Sequence, residues 1–174
     1  RDLHDAGNYH VEAVCLSSII GSMVALDRHG EPLINALTWA DLRCAPDVLT
    51  ARRELDEDAI YRATGSQFHG IYTGPKIAWL KRTQPEIYSR VAHFVPTKTF
   101  LLHRLAGEMI LDRSVGSGSG MLNMVGPTWN DEWIAYLGLD PATLGEIVEP
   151  GTTFHFKPDI AKAVGIDPRT PLLA

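Results

Sequence analysis

An α/β layer structure is what this sequence predicts, and three observations carry the prediction. A short apolar, β-branched run at Val11–Ser18 has the length and composition of a buried strand. Two further apolar runs, Ser22–Asp27 and Leu33–Trp39, flank the turn residues Arg28–Pro32 around Gly30, as in a hairpin attached to a sheet. From Ala45 onward the pattern turns helical. The apolar content of the three runs points to a sheet covered on both faces.

The helical stretches follow in order. Asp47–Leu55 and Asp58–Ala63 have acidic starts and helix formers, with Gly65 as a stop. Pro75–Arg82 places proline in a first turn, with Ile77 and Leu80 three apart beside Trp79. Pro85–Val91 is a second short helix, ending before His93–Val95. Thr97–Leu105 is a third, with Thr97 as the expected N-cap and Gly107 as the stop. Asn130–Leu137 begins on a capping asparagine, with Asp131 and Glu132 at the positive end of its dipole. A helix at Pro158–Val164 and a turn at Asp167–Thr170 lead to Leu172–Ala174, which reads as the first half of another strand. The second half is thus expected to be largely helical.

Composition bounds the function. The 174 residues carry 16 Lys+Arg against 21 Asp+Glu, a formal net charge of −5, with 45% hydrophobic and 21% charged residues. That is the balance of a globular chain rather than a disordered one. No apolar run reaches the roughly 20 residues of a membrane-spanning helix, and no Lys/Arg block marks a nucleic-acid or anionic-membrane surface. Neither nucleic acid nor membrane is therefore an expected partner. Cys15 and Cys44 fit a reducing cytosol, and a cytoplasmic setting is expected. The chain opens on Arg1 rather than Met, and is expected to be a piece of something longer.

Several strings invite chemistry. The glycine-rich GSGSG at Gly116–Gly120 could cradle an anion, but it lacks both GxxxxGK[ST] and GxGxxG, and a closely packed or flexible turn is the preferred reading. The seven histidines form no HExxH or His-x-His pattern, so no metal site is expected. Cys15, inside a predicted buried strand, is expected to pack rather than react. Trp39-Ala40-Asp41-Leu42-Arg43 is the most unusual string: an indole, a carboxylate and a guanidinium at a predicted strand end, where open α/β sheets gather ligands. The indole could stack on the apolar face of a sugar while Asp41 and Arg43 bind hydroxyls. A core tryptophan beside a structural Asp–Arg pair is the equally weighted reading. Tyr72 and Lys76, at the lip of the Pro75 helix, pose the same choice, with a structural role the preferred reading.

Taken together these strings resemble the FGGY-type sugar kinases, which include xylulokinases, gluconokinases and glycerol kinases. The matching strings are Ala36–Arg43 (ALTWADLR), Thr64–Gly65, Tyr72–Tyr88 (YTGPKIAWLKRTQPEIY), Leu105–Gly107, Leu111–Met124 (LDRSVGSGSGMLNM), Trp129, Tyr136–Thr152 and Ala163–Ala174, in order over most of the chain. The resemblance implies an actin-like, ribonuclease-H-like α/β fold, with residues 1–174 forming part of the N-terminal, sugar-binding domain, incomplete at both ends. It implies ATP and Mg²⁺ as cofactors, a small sugar, ketose, aldonate or polyol as substrate, and phosphoryl transfer to its hydroxyl. It also implies that the first hairpin, with its Asp-Gly-Thr turn, precedes Arg1. The catalytic aspartate and the nucleotide-binding domain would follow Ala174. No catalytic base is assigned within these residues, and the isolated segment is expected to be inactive.

On this resemblance the substrate-binding candidates are Trp39, Asp41, Arg43, Tyr72, Ile20 and Gly21. Trp39 and Tyr72 are expected to face one cleft, with Ile20-Gly21 on its floor. The last pair departs from the family, where pentulokinases carry Met-His and glycerol kinases Arg-Glu at the matching turn. Neither residue can bind a hydroxyl by its side chain, so either the substrate differs or another group such as His69 makes the contact. The alternative function is a non-catalytic sugar-binding or assembly module. Unpaired sheet edges in the isolated piece leave homodimer association open.

Overall fold

A computed structural model describes residues 10–174. Its first strand, β1 (Val14–Cys15), pairs in parallel with the last, β7 (Pro171–Leu173), which in turn pairs antiparallel with β6 (Thr153–His155). A second ladder joins β2 (Val24–Leu26) antiparallel to β3 (His93–Val95), and a third joins β4 (Ile110–Asp112) in parallel to β5 (Glu146–Val148). Between and around them lie α1 (Ala45–Glu54), α2 (Glu57–Thr64), α3 (Thr73–Thr83), α4 (Pro85–Tyr88), α5 (Thr97–Ala106), α6 (Arg113–Ser117), α7 (Asp131–Leu137) and α8 (Pro158–Val164). The architecture is α/β, as expected. The terminal run does form strand, at Pro171–Leu173, with Val14 opposite Leu172 and Cys15 opposite Leu173.

The strand neighbours differ from the expectation. Val11–Ser18, Ser22–Asp27 and Leu33–Trp39 do not lie side by side as three strands. β1 is drawn to β7, and β2 finds its ladder partner in β3, a segment with no strand pattern of its own. The hairpin after β2 is present, but its return arm is irregular. Met23 and Leu37 exchange backbone bonds at 2.8 and 2.9 Å, Leu33 N donates to Ala25 O at 2.9 Å, and no continuous ladder forms. Pro32, opposite Leu26, has no N–H to extend the pairing. Cys15 is a second correction. It is exposed, because half-buried Val14 and Leu16 take the inward positions and the alternation turns Cys15 outward.

The helices sit close to where their start and stop residues put them. Asp56 caps α2 by accepting from Ala59 N at 2.9 Å, Asn130 caps α7 by accepting from Trp133 N at 3.1 Å, and Gly65, Gly107 and Gly138 end their helices in the left-handed conformation. Thr97 is not a cap but the first residue of α5. Its N–H and hydroxyl both donate to Ser22 Oγ, at 3.1 and 2.9 Å, so a residue from the turn before β2 closes that helix end. Helix outweighs strand in the second half, yet β4, β5 and β6 also lie there. Each is three residues long, too short to display a two-residue period.

The main core gathers Met23, Ala25, Leu37, Ile60, Phe68, Ile77, Leu80 and Trp133 beneath α1, α2, α3 and α7. A smaller cluster of Leu102, Ile110, Phe156, Ala161 and Leu172 packs between α5, α8 and the β1–β7–β6 sheet. The two clusters fix the turns between elements, and it is at one such set of turns that the candidate residues meet.

Candidate functional site

Four backbone segments converge: the 19–22 turn before β2, the 38–43 turn before α1, the 69–73 entry to α3, and the 116–120 glycine run after α6. Glycine makes the convergence possible. Gly21 has φ +70°, and a Cβ there would lie 2.9 Å from Ile71 O and 3.3 Å from the Trp39 Cβ. Gly120 has φ +74°, and its Cβ would stand 2.7 Å from the Tyr72 ring. A side chain at either position would push the segments apart. Gly118, directly under Ile20, leaves no space either: a Cβ would sit 2.5 Å from Ile20 Cγ2. The glycine run is therefore a packing device, as preferred from the sequence.

That run does not fit a phosphate. The amides of Gly118, Ser119 and Gly120 already donate to the carbonyls of Val115, Gly116 and Ser117, at 3.0, 3.0 and 3.3 Å, and Met121 N donates to Ser119 Oγ. An anion cradle needs such amides free. The partly open void lined by Gly21, Ser22, Thr73, Gly118, Ser119 and Trp129 has a volume of about 10 Å³. That is room for a water, not for a nucleotide phosphate. No nucleotide-binding step is assigned to these residues.

The predicted site residues divide as follows. Trp39 is 56% exposed and lies outside the core, which removes the core-tryptophan reading. It is exposed by a turn, not by strand alternation: Asp41 N donates to Thr38 O at 3.0 Å, and Trp39-Ala40 form the corner. Asp41 and Arg43 do pair, with Arg43 Nη2 donating to Asp41 Oδ2 at 2.6 Å and Nε to Oδ1 at 3.0 Å. Arg43 also lies 4.4 Å over the ring of Trp79, a cation–π contact that fixes the guanidinium. The Arg43 hydrogen bonds hold the Asp41 carboxyl below the usual carboxylate range. Tyr72 is half-buried on Gly120, and Ile20 is 58% exposed on Gly118. Trp39 thus adjoins Gly21 directly and Tyr72 reaches it through Ile71, so that the turns carrying them form one wall.

His69 stands apart. Its Nδ1 accepts from Ile71 N at 3.2 Å, and the residue borders an apolar groove of about 260 Å³ with Leu42, Val48, Leu49 and Phe68. Lys76 is the residue whose part the sequence left undecided. It is 1% exposed, and its Nζ donates to Gly21 O at 3.0 Å and Ile71 O at 2.5 Å. Burial pushes its pKa down, opposed in part by nearby Cys44 and by the Asp41 carboxylate. The signal was its place one position after Pro75, on the helix turn that faces inward with Ile77. A lysine there reads as surface unless the backbone acceptors are known.

Comparison with known proteins gives this arrangement a family. A model of the FGGY family of carbohydrate kinases, N-terminal domain, matches residues 3–174. The chain belongs to that family. It is similar to a gluconokinase of Bacillus subtilis, 32% identical over 164 residues, covering 94% of this chain and 32% of that protein. It is likewise similar to a xylulose kinase of Streptomyces rubiginosus, 33% identical over 144 residues, covering 82% of this chain and 30% of the relative. Among solved structures, a ligand-bound xylulose kinase and a gluconate kinase, both from Lactobacillus acidophilus, each superpose with a TM-score of 0.92 at 29% identity. Each match covers 99% of this chain and 35% of the other. The fold is that of the actin-like sugar kinases, and this chain spans about a third of the length of the relatives it matches.

Proposed function

We propose that residues 1–174 form the sugar-binding part of an ATP-dependent carbohydrate kinase, whose nucleotide site, Mg²⁺ and proton-accepting aspartate lie outside these residues. The observation that carries the reading is the exposed Trp39 indole, set against Gly21 beside a fixed Asp41–Arg43 pair. An indole presents an apolar face to sugar C–H groups, while the outer atoms of the carboxylate and guanidinium bind hydroxyls. Holding the sugar in one orientation is what phosphoryl transfer asks of this side of the site, because its catalysis is mostly positioning and charge stabilisation.

The similarity to proteins named gluconokinase and gluconate kinase favours an anionic aldonate over a neutral ketose as substrate. Ile20, where a polar residue would bind a hydroxyl, suits a sugar presenting a C–H face to the turn. The proposed setting is cytoplasmic.

The test is a coupled ADP assay of the full-length protein with gluconate, xylulose and glycerol. The reading predicts sugar-dependent ADP, highest with gluconate. ADP no higher with any of the three than without sugar would overturn it.

A further inference from the structure

Lys76 presents an energetic problem. An ammonium 1% exposed loses its hydration, and ordinarily such a charge is offset by a carboxylate at contact distance. None of the ion pairs found among the described residues includes Lys76. Asp41 acts on it through space, but its hydrogen bonds go to Arg43. Its own two bonds go to backbone carbonyls, Gly21 O and Ile71 O. A methionine has similar length and would fill an apolar slot without this cost.

The two carbonyls show what the charge does. One belongs to the turn that carries Ile20, the other to the residue just before Tyr72. Their oxygens lie within 3.0 Å of one nitrogen, so two negative dipole ends are brought together across the line where Gly21 meets Ile71. Without the ammonium these oxygens would be buried close together with no donor between them. On the other side of the same turn, Ser22 Oγ donates to Ile19 O at 3.0 Å and accepts from Thr97. The 19–22 turn is thus fastened at both ends, and among the described residues Lys76 is the side chain that fastens it to the α3 entry.

We propose that Lys76 is a positioning residue for the sugar wall, its ammonium setting the spacing between the Ile20-Gly21 turn and Tyr72 by holding Gly21 O and Ile71 O together. It touches no substrate in this proposal, and its effect is exerted through the turns. The proposal rests on the reading of this wall as a sugar site. Its mechanical part does not depend on that reading.

The test compares wild type, Lys76→Met and Lys76→Gln in the full-length protein by two readouts. The first is steady-state kinetics with the preferred sugar. Lys76→Met is expected to raise the sugar KM at least tenfold, while kcat and the KM for ATP stay within threefold. Lys76→Gln, which keeps N–H donors, is expected to recover part of the loss. The second readout is amide hydrogen exchange, expected to quicken at least tenfold across 19–22 and 70–73 and to stay unchanged in α7. A sugar KM within threefold of wild type overturns the proposal. So does a general rise in exchange that includes α7, the mark of a merely structural lysine. If wild type phosphorylates none of the sugars, the functional reading fails while the exchange data still decide the clamp. Quickening confined to the two segments supports it and no local change overturns it. Should Lys76→Met not fold, Lys76→Gln carries the same comparisons against wild type.

Discussion

Gly120 illustrates how much of the site is decided by single atoms. Its φ of +74° and the Tyr72 ring 2.7 Å from any added Cβ leave no room for alanine. Gly120→Ala should lower stability by about 2–4 kcal/mol, the sum of left-handed strain and overpacking, read as a fall in the denaturant midpoint. Trp39 makes the opposite case, since its indole is half exposed and supports little of the core. Trp39→Ala in the full-length protein should leave the melting temperature nearly unchanged but cut kcat/KM for the sugar by roughly tenfold to a thousandfold through lost stacking and orientation. An unchanged kcat/KM would remove Trp39 from the site. The sequence made Trp39, Asp41 and Arg43 legible because an indole, an acid and a base in five residues are chemically conspicuous. It offered an Asp41–Arg43 pair as one of two even readings without deciding for it, and gave no sign that Arg43 leans on Trp79, because a contact across turns does not follow from spacing.

At the scale of elements, a buried ion pair holds the glycine run in place. Lys98 Nζ of α5 lies 3.0 Å from Asp112 Oδ2, with side chains 10% and 2% exposed, while Asp112 Oδ1 accepts from the amides of Ser114 and Val115. Asp112 therefore ends β4, caps α6 and anchors it to α5. Lys98→Met should cost about 3–5 kcal/mol, because it strands a buried carboxylate, and thermal or denaturant unfolding would measure it. The helices were readable from their caps, stops and prolines, since those signals are local. The strand pairing was not. In the β2–β3 ladder Val24 stands opposite Val95, Ala25 opposite Phe94 and Leu26 opposite His93, and nothing local in either segment announces that partner. Three-residue ladders between segments distant in sequence are set by tertiary packing rather than by propensity.

At the scale of the whole molecule, the proposed function divides the work of a kinase between this chain and residues outside it. The described residues assemble a wall of turns over a closed core, and their glycine run has its amides already spent within its own turns. The isolated chain should therefore produce no ADP above background with gluconate, xylulose or glycerol, and a coupled assay of the purified piece checks this. The family was legible because its strings keep their order over most of the chain. The sugar was not, because Ile20-Gly21 stands where the resemblance implies a polar pair. The central claim is that the sugar lies on the wall formed by Trp39, Tyr72 and the Ile20-Gly21 turn. A crystal structure of the full-length protein with its sugar tests that most directly. Sugar carbons are predicted to lie against the Trp39 indole, with hydroxyls or a carboxylate within hydrogen-bond reach of Asp41 or Arg43. A sugar bound elsewhere, with the Trp39 indole left in solvent, would contradict it.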